Sequence, residues 1–316
     1  MKAYILQRIL SLIPVLLVVA VVVFFLIHLT PGDPAAIILG PEATTEAVLE
    51  LQEELGLNLP IYEQFFTWIV NVFQGDLGWS YFMDMSVTQA FYQFLGPTIS
   101  LTILAQMVAI TIAIPLGILA AKRRGTKIDQ SVMIFALLGI SLPNFLLALL
   151  LVLLFSVNLA WLPVAGYQPL SSGIWLHIQH LILPAITLGA IQAALIARVT
   201  RASMLDVLNS NYIKTAKSKG VKEKRIIYKH ALRNAFIPIL TVIGQSFGNL
   251  IAGAVVTETV FNIPGIGQLI INAISRRDFE VIQGSILLIA GMYVLINLIV
   301  DLLYGIIDPR VRLNRK

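Results

Sequence analysis

The groups able to carry chemistry are few, and their placement narrows what the chain can do. Four histidines occur (His28, His177, His180 and His230), and none stands at a metal-ligand spacing from the others. His177 and His180 are three residues apart, but no carboxylate lies near them in sequence. Cysteine is absent, which excludes disulfides and thiolate metal sites. No Gly-x-x-x-x-Gly-Lys-Ser/Thr loop is present, so the chain has no phosphate cradle of its own for ATP. Two carboxylates are set among apolar residues. Asp301, with Asn297 one turn before it, falls where exposure to lipid costs about 2.5–3.5 kcal/mol. It is either a functional intramembrane group or a structural one bonded to a neighbouring helix. Glu258 precedes Val260–Gly267, in which Pro264, Gly265 and Gly267 imply a tight turn after Phe261. Glu258 either faces the amino group of a substrate or is simply interfacial. With Phe261, Pro264, Gly265 and Gly267 it forms a candidate external gate.

The densest polar feature is a basic stretch. Arg198–Arg233 holds ten of the 22 Lys and Arg residues, yet it lies between two long apolar segments. Asn211 predicts the cap of a helix beginning at Tyr212, and Gly220 predicts its left-handed stop. Leu205, Leu208, Tyr212 and Ala216 recur every three to four residues, an apolar stripe under a cationic face. Thr215, Ala216 and Gly220 are small, which permits close approach of another surface. Two readings are open at this point: a basic amphipathic helix on anionic lipid headgroups, or a helix that docks a protein.

The elements that position these groups are membrane helices. Hydrophobic residues make up 58% of the 316-residue chain and charged residues 12%, against about 25% charged in soluble domains. Crossing about 30 Å of hydrocarbon takes roughly 20 apolar residues. Six segments qualify: 9–29, 98–121, 132–154, 181–197, 235–256 and 282–307. Pro14, Pro115, Pro143 and Pro184 fall within them, as neighbouring helices allow. Lys2 and Arg8 precede the first segment, but its apolar run is longer than a signal-peptide core and predicts a retained helix.

Charge then orients the six spans. With the N-terminus inside, 20 of the 22 basic residues fall on the cytoplasmic side, leaving only Arg276 and Arg277 outside. Both termini are therefore expected in the cytoplasm, with a short tail at 308–316. The basic residues flank apolar segments, which marks membrane orientation and lipid contact rather than nucleic-acid binding. The external segment 30–94 carries nine acids and no base. Glu46–Leu55 and Ile61–Phe73 read as helices, and Trp68, Trp79, Tyr81 and Phe82 suit an interface belt. A small cap resting on the membrane is the expectation for this segment, with direct substrate contact as the alternative.

The sequence also resembles a known family. Lys214-Thr215-Ala216-Lys217-Ser218-Lys219-Gly220 and His230-Ala231-Leu232-Arg233-Asn234-Ala235-Phe236-Ile237-Pro238 are similar to the EAA loop of bacterial ABC-importer permeases. The B-type permeases of dipeptide, oligopeptide, nickel and glutathione systems match best. Thr30-Pro31-Gly32-Asp33-Pro34, Leu55-Gly56-Leu57 with Pro60, Gly75-Asp76-Leu77-Gly78, Ser141-Leu142-Pro143-Asn144-Phe145, Trp161-Leu162-Pro163, Val260–Gly267 and Asp308-Pro309-Arg310 extend the likeness along nearly the whole chain. Glu-Ala-Ala of the broader signature is Lys214-Thr215-Ala216 here, and the later Leu-Pro is Leu232-Arg233 with Pro238 further on, both as in the peptide and nickel branch.

The resemblance implies an all-α type I ABC importer permease fold: a first helix (1–29), the external segment (30–94) and a permease domain (95–307) whose coupling loop is 198–234. It implies that Tyr212, Lys214, Thr215, Ala216, Gly220, Val221 and Arg233 serve docking and coupling to a separate ATPase. The implied partners are two ATP-binding subunits that hold ATP and Mg, a second (C-type) permease and an external solute-binding protein, in a bacterial inner membrane. No cofactor, metal or catalytic residue is expected in this chain. Di- or oligopeptide is the expected cargo, with nickel, a nickel chelate or glutathione as alternatives. A secondary transporter would carry paired ionisable groups at the bilayer midplane, which is almost free of charge here. A membrane enzyme would need a nucleophile with a base, or metal ligands, facing a cavity.

Overall fold

The computed structural model describes residues 12–29 and 32–307. The terminal basic residues Lys2, Arg8, Arg310, Arg312, Arg315 and Lys316 lie outside the described residues, as do Thr30, Pro31 and Asp308-Pro309-Arg310. Asp301 is helical, but its side chain also lies outside them. The described residues are all-α apart from one β-hairpin of two-residue strands, and they form two compact units.

The first unit combines residues 1–96 with 265–298. Helix α1 (Leu12–Leu29) is apolar all round. Three short helices follow: α2 (Pro34–Leu39), α3 (Thr45–Glu54) and α4 (Ile61–Gln74). Local chemistry sets their ends. The Asp33 carboxylate caps α2 by accepting from Ala35 N–H, Thr44 caps α3, and Gly75 at φ +87 stops α4. Phe65 and Trp68 of the amphipathic α4 pack on Phe24 of α1, with ring centroids 5.2 and 5.7 Å apart. Trp79, Tyr81 and Phe82 remain exposed. Strands β1 (Trp79–Ser80) and β2 (Met85–Ser86) pair antiparallel. Helix α11 (Ile266–Arg276) and, as far as Leu298, α12 (Phe279–Ile307) complete this unit, whose core holds Leu77, Val87, Ala90, Leu269, Ala273 and Val281.

The second unit combines 97–264 with 299–316. It takes most of α5 (Val87–Lys122), then α6 (Lys127–Ser141) and α7 (Asn144–Asn158), which turns π-helical at Val152. Helix α8 (Ile174–Leu208), α9 (Asn211–Ser218) and α10 (Glu223–Val260), with a π-helical stretch over Ile226–Ala231, follow. Helix α8 is the most enclosed of these, packed against α6, α7 and α10.

Among the described residues, α5, α8, α10 and α12 are long and apolar enough to cross a membrane. The segment expected as a third straight span is instead the pair α6 and α7, bent by 108°. Pro143 is the cause. Its ring holds Leu142 in extended backbone (ψ 126°), so α6 stops and Pro143 serves as the N-cap of α7. Pro115 and Pro184 stay within unbroken helices. Helices α8 and α10 run well past the expected apolar cores, into segments that mix polar and apolar residues.

Two close approaches join α5 to α8. A Cβ at Gly189 would lie 2.7 Å from the Ala105 carbonyl oxygen, and one at Gly117 would lie 2.8 Å from the Ala197 carbonyl oxygen and 2.6 Å from Thr200 Cβ. Backbone lines both contacts, so neither neighbour can yield cheaply. Gly189→Leu is expected to lower the amount of folded chain extracted from membranes more than tenfold. Gly96→Ala, whose new Cβ meets nothing within 4 Å, is expected to leave that amount unchanged.

Candidate functional site

Helix α9 buries one side chain completely. Ile213 is fully buried, in a cluster with Met204 of α8 and Ile226 and Ala231 of α10. Around it Tyr212, Lys214, Thr215, Lys217 and Ser218 are exposed, and Ala216 is half-buried. The expected stripe through Leu205, Leu208, Tyr212 and Ala216 is therefore not continuous. The turn at Asn209-Ser210 separates α8 from α9 and resets the helical phase, so Ile213 rather than Tyr212 faces inward. Ser210, not Asn211, is the residue at the N-cap, and its hydroxyl donates back to Val207 O at 2.6 Å.

The other end of α9 follows the glycine stop closely. Gly220 has φ +72; its N–H donates to Lys217 O (2.9 Å), and Val221 N–H donates to Ala216 O (3.2 Å). That pair of bonds is a Schellman ending, with Val221 packing against the buried cluster. Tyr212 Oη accepts from Asn234 Nδ2 at 2.8 Å, and Asn234 also donates to His230 O. These bonds tie the start of α9 to the π-helical stretch of α10. Arg233 is exposed beside it.

Sequence reasoning missed the groups that fasten this loop. Asp129, 4% exposed, takes a bidentate pair from Arg201 (2.5 and 2.7 Å) and a third bond from Gly125 N–H (2.9 Å). Lys122 meets Glu223 at 3.4 Å on the surface. Arg201 precedes α9 and Glu223 follows it, so the end of α5 and the first turn of α6 each meet one side of the 198–234 loop. The available signal was Asp129 itself, a lone acid directly after the basic block Lys122–Lys127.

The candidate gate residues are mostly interior. Glu258 is fully buried and accepts from Thr98 Oγ1 at 2.5 Å. Phe261 is buried, and its carbonyl accepts from Gly166 N–H (2.8 Å). Pro264 is exposed, while Gly265, at the N-cap of α11, and Gly267 are buried. Asn297 is half-buried. His177 Nδ1 bonds Gln168 O at 2.6 Å and His180 Nδ1 bonds Leu176 O at 2.9 Å, so each ring is engaged with backbone.

Comparison with known proteins adds a further set of observations. Residues 113–313 match the family described as binding-protein-dependent transport system inner membrane component, and residues 1–102 match its N-terminal counterpart. A probable peptide ABC transporter permease of Sinorhizobium fredii is 47% identical over 99% of this chain and 100% of its own length. A dipeptide transport system permease of Alkalihalophilus pseudofirmus is 45% identical over 99% and 100%, and a glutathione transport system permease of Escherichia coli is 45% identical over 99% of each. The fold is similar to that of a solved chain of the MetNI methionine ABC transporter in an inward-facing conformation. That likeness has a TM-score of 0.59 at 16% identity and covers 70% of this chain and 97% of that one.

Proposed function

The chain belongs to the binding-protein-dependent transport system inner membrane component family, as a multi-pass permease of ABC importers, and on that premise we propose that it imports peptides. Relatives matched end to end carry the words peptide, dipeptide and glutathione, and glutathione is itself a small peptide. Peptide cargo is thus the reading all three share. Separate ATPase subunits, a second permease and an external binding protein complete the machine, with both termini of this chain in the cytoplasm and six spans in all.

The coupling role rests on α9. A helix anchored by Ile213 on its inward face and tied at its start by Tyr212 leaves its outward face, Lys214, Thr215, Lys217 and Ser218, open to a partner. The Schellman ending at Gly220 keeps that face short and blunt. Docking by α9 transmits closure of the ATPases through Tyr212 and the Arg201–Asp129 pair into the helices of the bundle, which switches access from one side to the other.

Uptake of a labelled dipeptide by the complete complex in proteoliposomes tests this. Accumulation is expected only with ATP inside and the binding protein outside. Uptake that needs no ATP but follows an imposed ion gradient would overturn the reading in favour of a secondary transporter.

A further inference from the structure

In the second unit, helices α5, α6 and α8 border a slot of about 190 Å³ that the coupling role leaves unused. Its back is the face of α8 from Ile186 to Ala197, about 16 Å along the axis. Ala190, Ala193 and Ala194 keep that face shallow. Val108, Ile112 and Leu116 of α5 form one wall, and Val132, Phe135 and Gly139 of α6 form the other. All of these residues fall within the expected membrane spans. Ile112 and Phe135 are exposed although they line the slot, so it opens on the surface of the unit.

One end of the slot is positive. One turn beyond Ala194 and Ala197, on the same face of α8, stand Arg198 and Arg201. One turn before Val132 on α6 is Asp129. Arg201 holds Asp129 in its bidentate pair, 2.5 and 2.7 Å, which joins α6 to α8 across the base of the slot. Arg198 and Lys127 are exposed and ion-pair with no described residue, and Arg124 acts on Asp129 through charge without a hydrogen bond. Of the other acids near in sequence, Glu223 pairs with Lys122 at 3.4 Å, and Asp206 lies about two turns beyond Arg198. Arg124, Lys127, Arg198 and Arg201 thus stand against one carboxylate.

We propose that the slot holds one acyl chain of an anionic phospholipid, with Arg124 and Arg198 binding its phosphate and the Arg201–Asp129 pair closing the base beside it. Width decides against a partner's helix. A volume of about 190 Å³ drawn out over about 16 Å is only a few ångström across, whereas a helix is about 10–12 Å wide. An extended hydrocarbon tail fits that width. Charge then selects the headgroup, because a basic pocket at the end of membrane helices favours an anionic lipid over a neutral one. A free phosphate would use the cations and leave the apolar slot unfilled. The site is argued from this unit alone and does not rest on the peptide reading.

The complete complex, assembled in nanodiscs of phosphatidylglycerol and phosphatidylcholine in equal amounts, is released into detergent, and the lipid that stays bound is quantified by native mass spectrometry. The wild type is expected to retain phosphatidylglycerol over phosphatidylcholine by roughly tenfold, since each cation near a headgroup contributes about a factor of five before screening. Arg124→Ala with Arg198→Ala is expected to remove the preference. Ala193→Leu keeps every charge, fills the slot and is expected to lower retained phosphatidylglycerol by more than half, so the proposal stays testable if the arginine variant assembles poorly. Lys224→Ala, at an exposed cation in the first turn of α10, is expected to change nothing. No preference in the wild type, an undiminished preference in either of the first two variants, or an equal loss in the third would overturn the proposal. So would a cross-link from Phe135→Cys to the second permease in place of retained lipid.

Discussion

Gly220→Val is expected to abolish ATP-driven uptake while the chain still inserts and folds. At φ +72 a β-branched residue is strained by about 1–2 kcal/mol, which is small for a chain with this much buried core. Nothing lies within 4 Å of a Cβ built at Gly220, so no clash within the chain adds to that strain. What changes is the ending of α9. Releasing the strain breaks the bonds to Lys217 O and Ala216 O and swings Val221 away from its cluster, which alters the face offered to an ATPase. Gly220→Asn, which tolerates the left-handed region, is expected to retain at least a third of wild-type uptake. The measurement is peptide accumulation alongside the amount of chain in the membrane. Normal uptake by the valine variant would remove α9 from the coupling role.

Asp129→Leu is expected to have the second large effect. It leaves Arg201 without its bidentate partner and Gly125 N–H without an acceptor. Breaking a buried pair costs about 3–5 kcal/mol; Arg201 keeps 27% of its side chain exposed, so the low end applies. The double variant Asp129→Leu with Arg201→Leu is expected to recover most of the stability, because the stranded charge is gone. It is not expected to recover uptake at a normal yield per ATP, because the loop is no longer fastened. If the double variant transports with unchanged yield, the pair serves folding only.

Most of the helical plan was legible from local signals. Asp33, Thr44, Gly75 and Gly220 act through their own backbone neighbours, so helix ends set by them can be read from a few adjacent residues. The bend at Pro143 was less visible, because prolines at 115 and 184 sit in equally apolar segments and leave their helices unbroken. The fastening of the loop was not visible at all. Asp129 and Arg201 are 72 residues apart, and Thr98 and Glu258 are 160 apart. Which carboxylate meets which donor at such separations is decided by helix packing, on which hydropathy is silent. The phase of α9 shows the same limit: a two-residue turn moved the inward position from Tyr212 to Ile213, and helical spacing cannot count through a turn.

The contacts of Gly189 with Ala105 and of Gly117 with Ala197 and Thr200 have a mechanical meaning. Ala105 and Gly117 are twelve residues apart on α5, or about 18 Å along its axis. Two bodies touching at one point can pivot in any direction; touching at two points so far apart, they keep only rotation about the line that joins them. Helices α5 and α8 are therefore expected to resist splaying apart along their length. A displacement applied at the Arg201 end is then expected to reach the Thr98 end with little lost to bending between the two contacts.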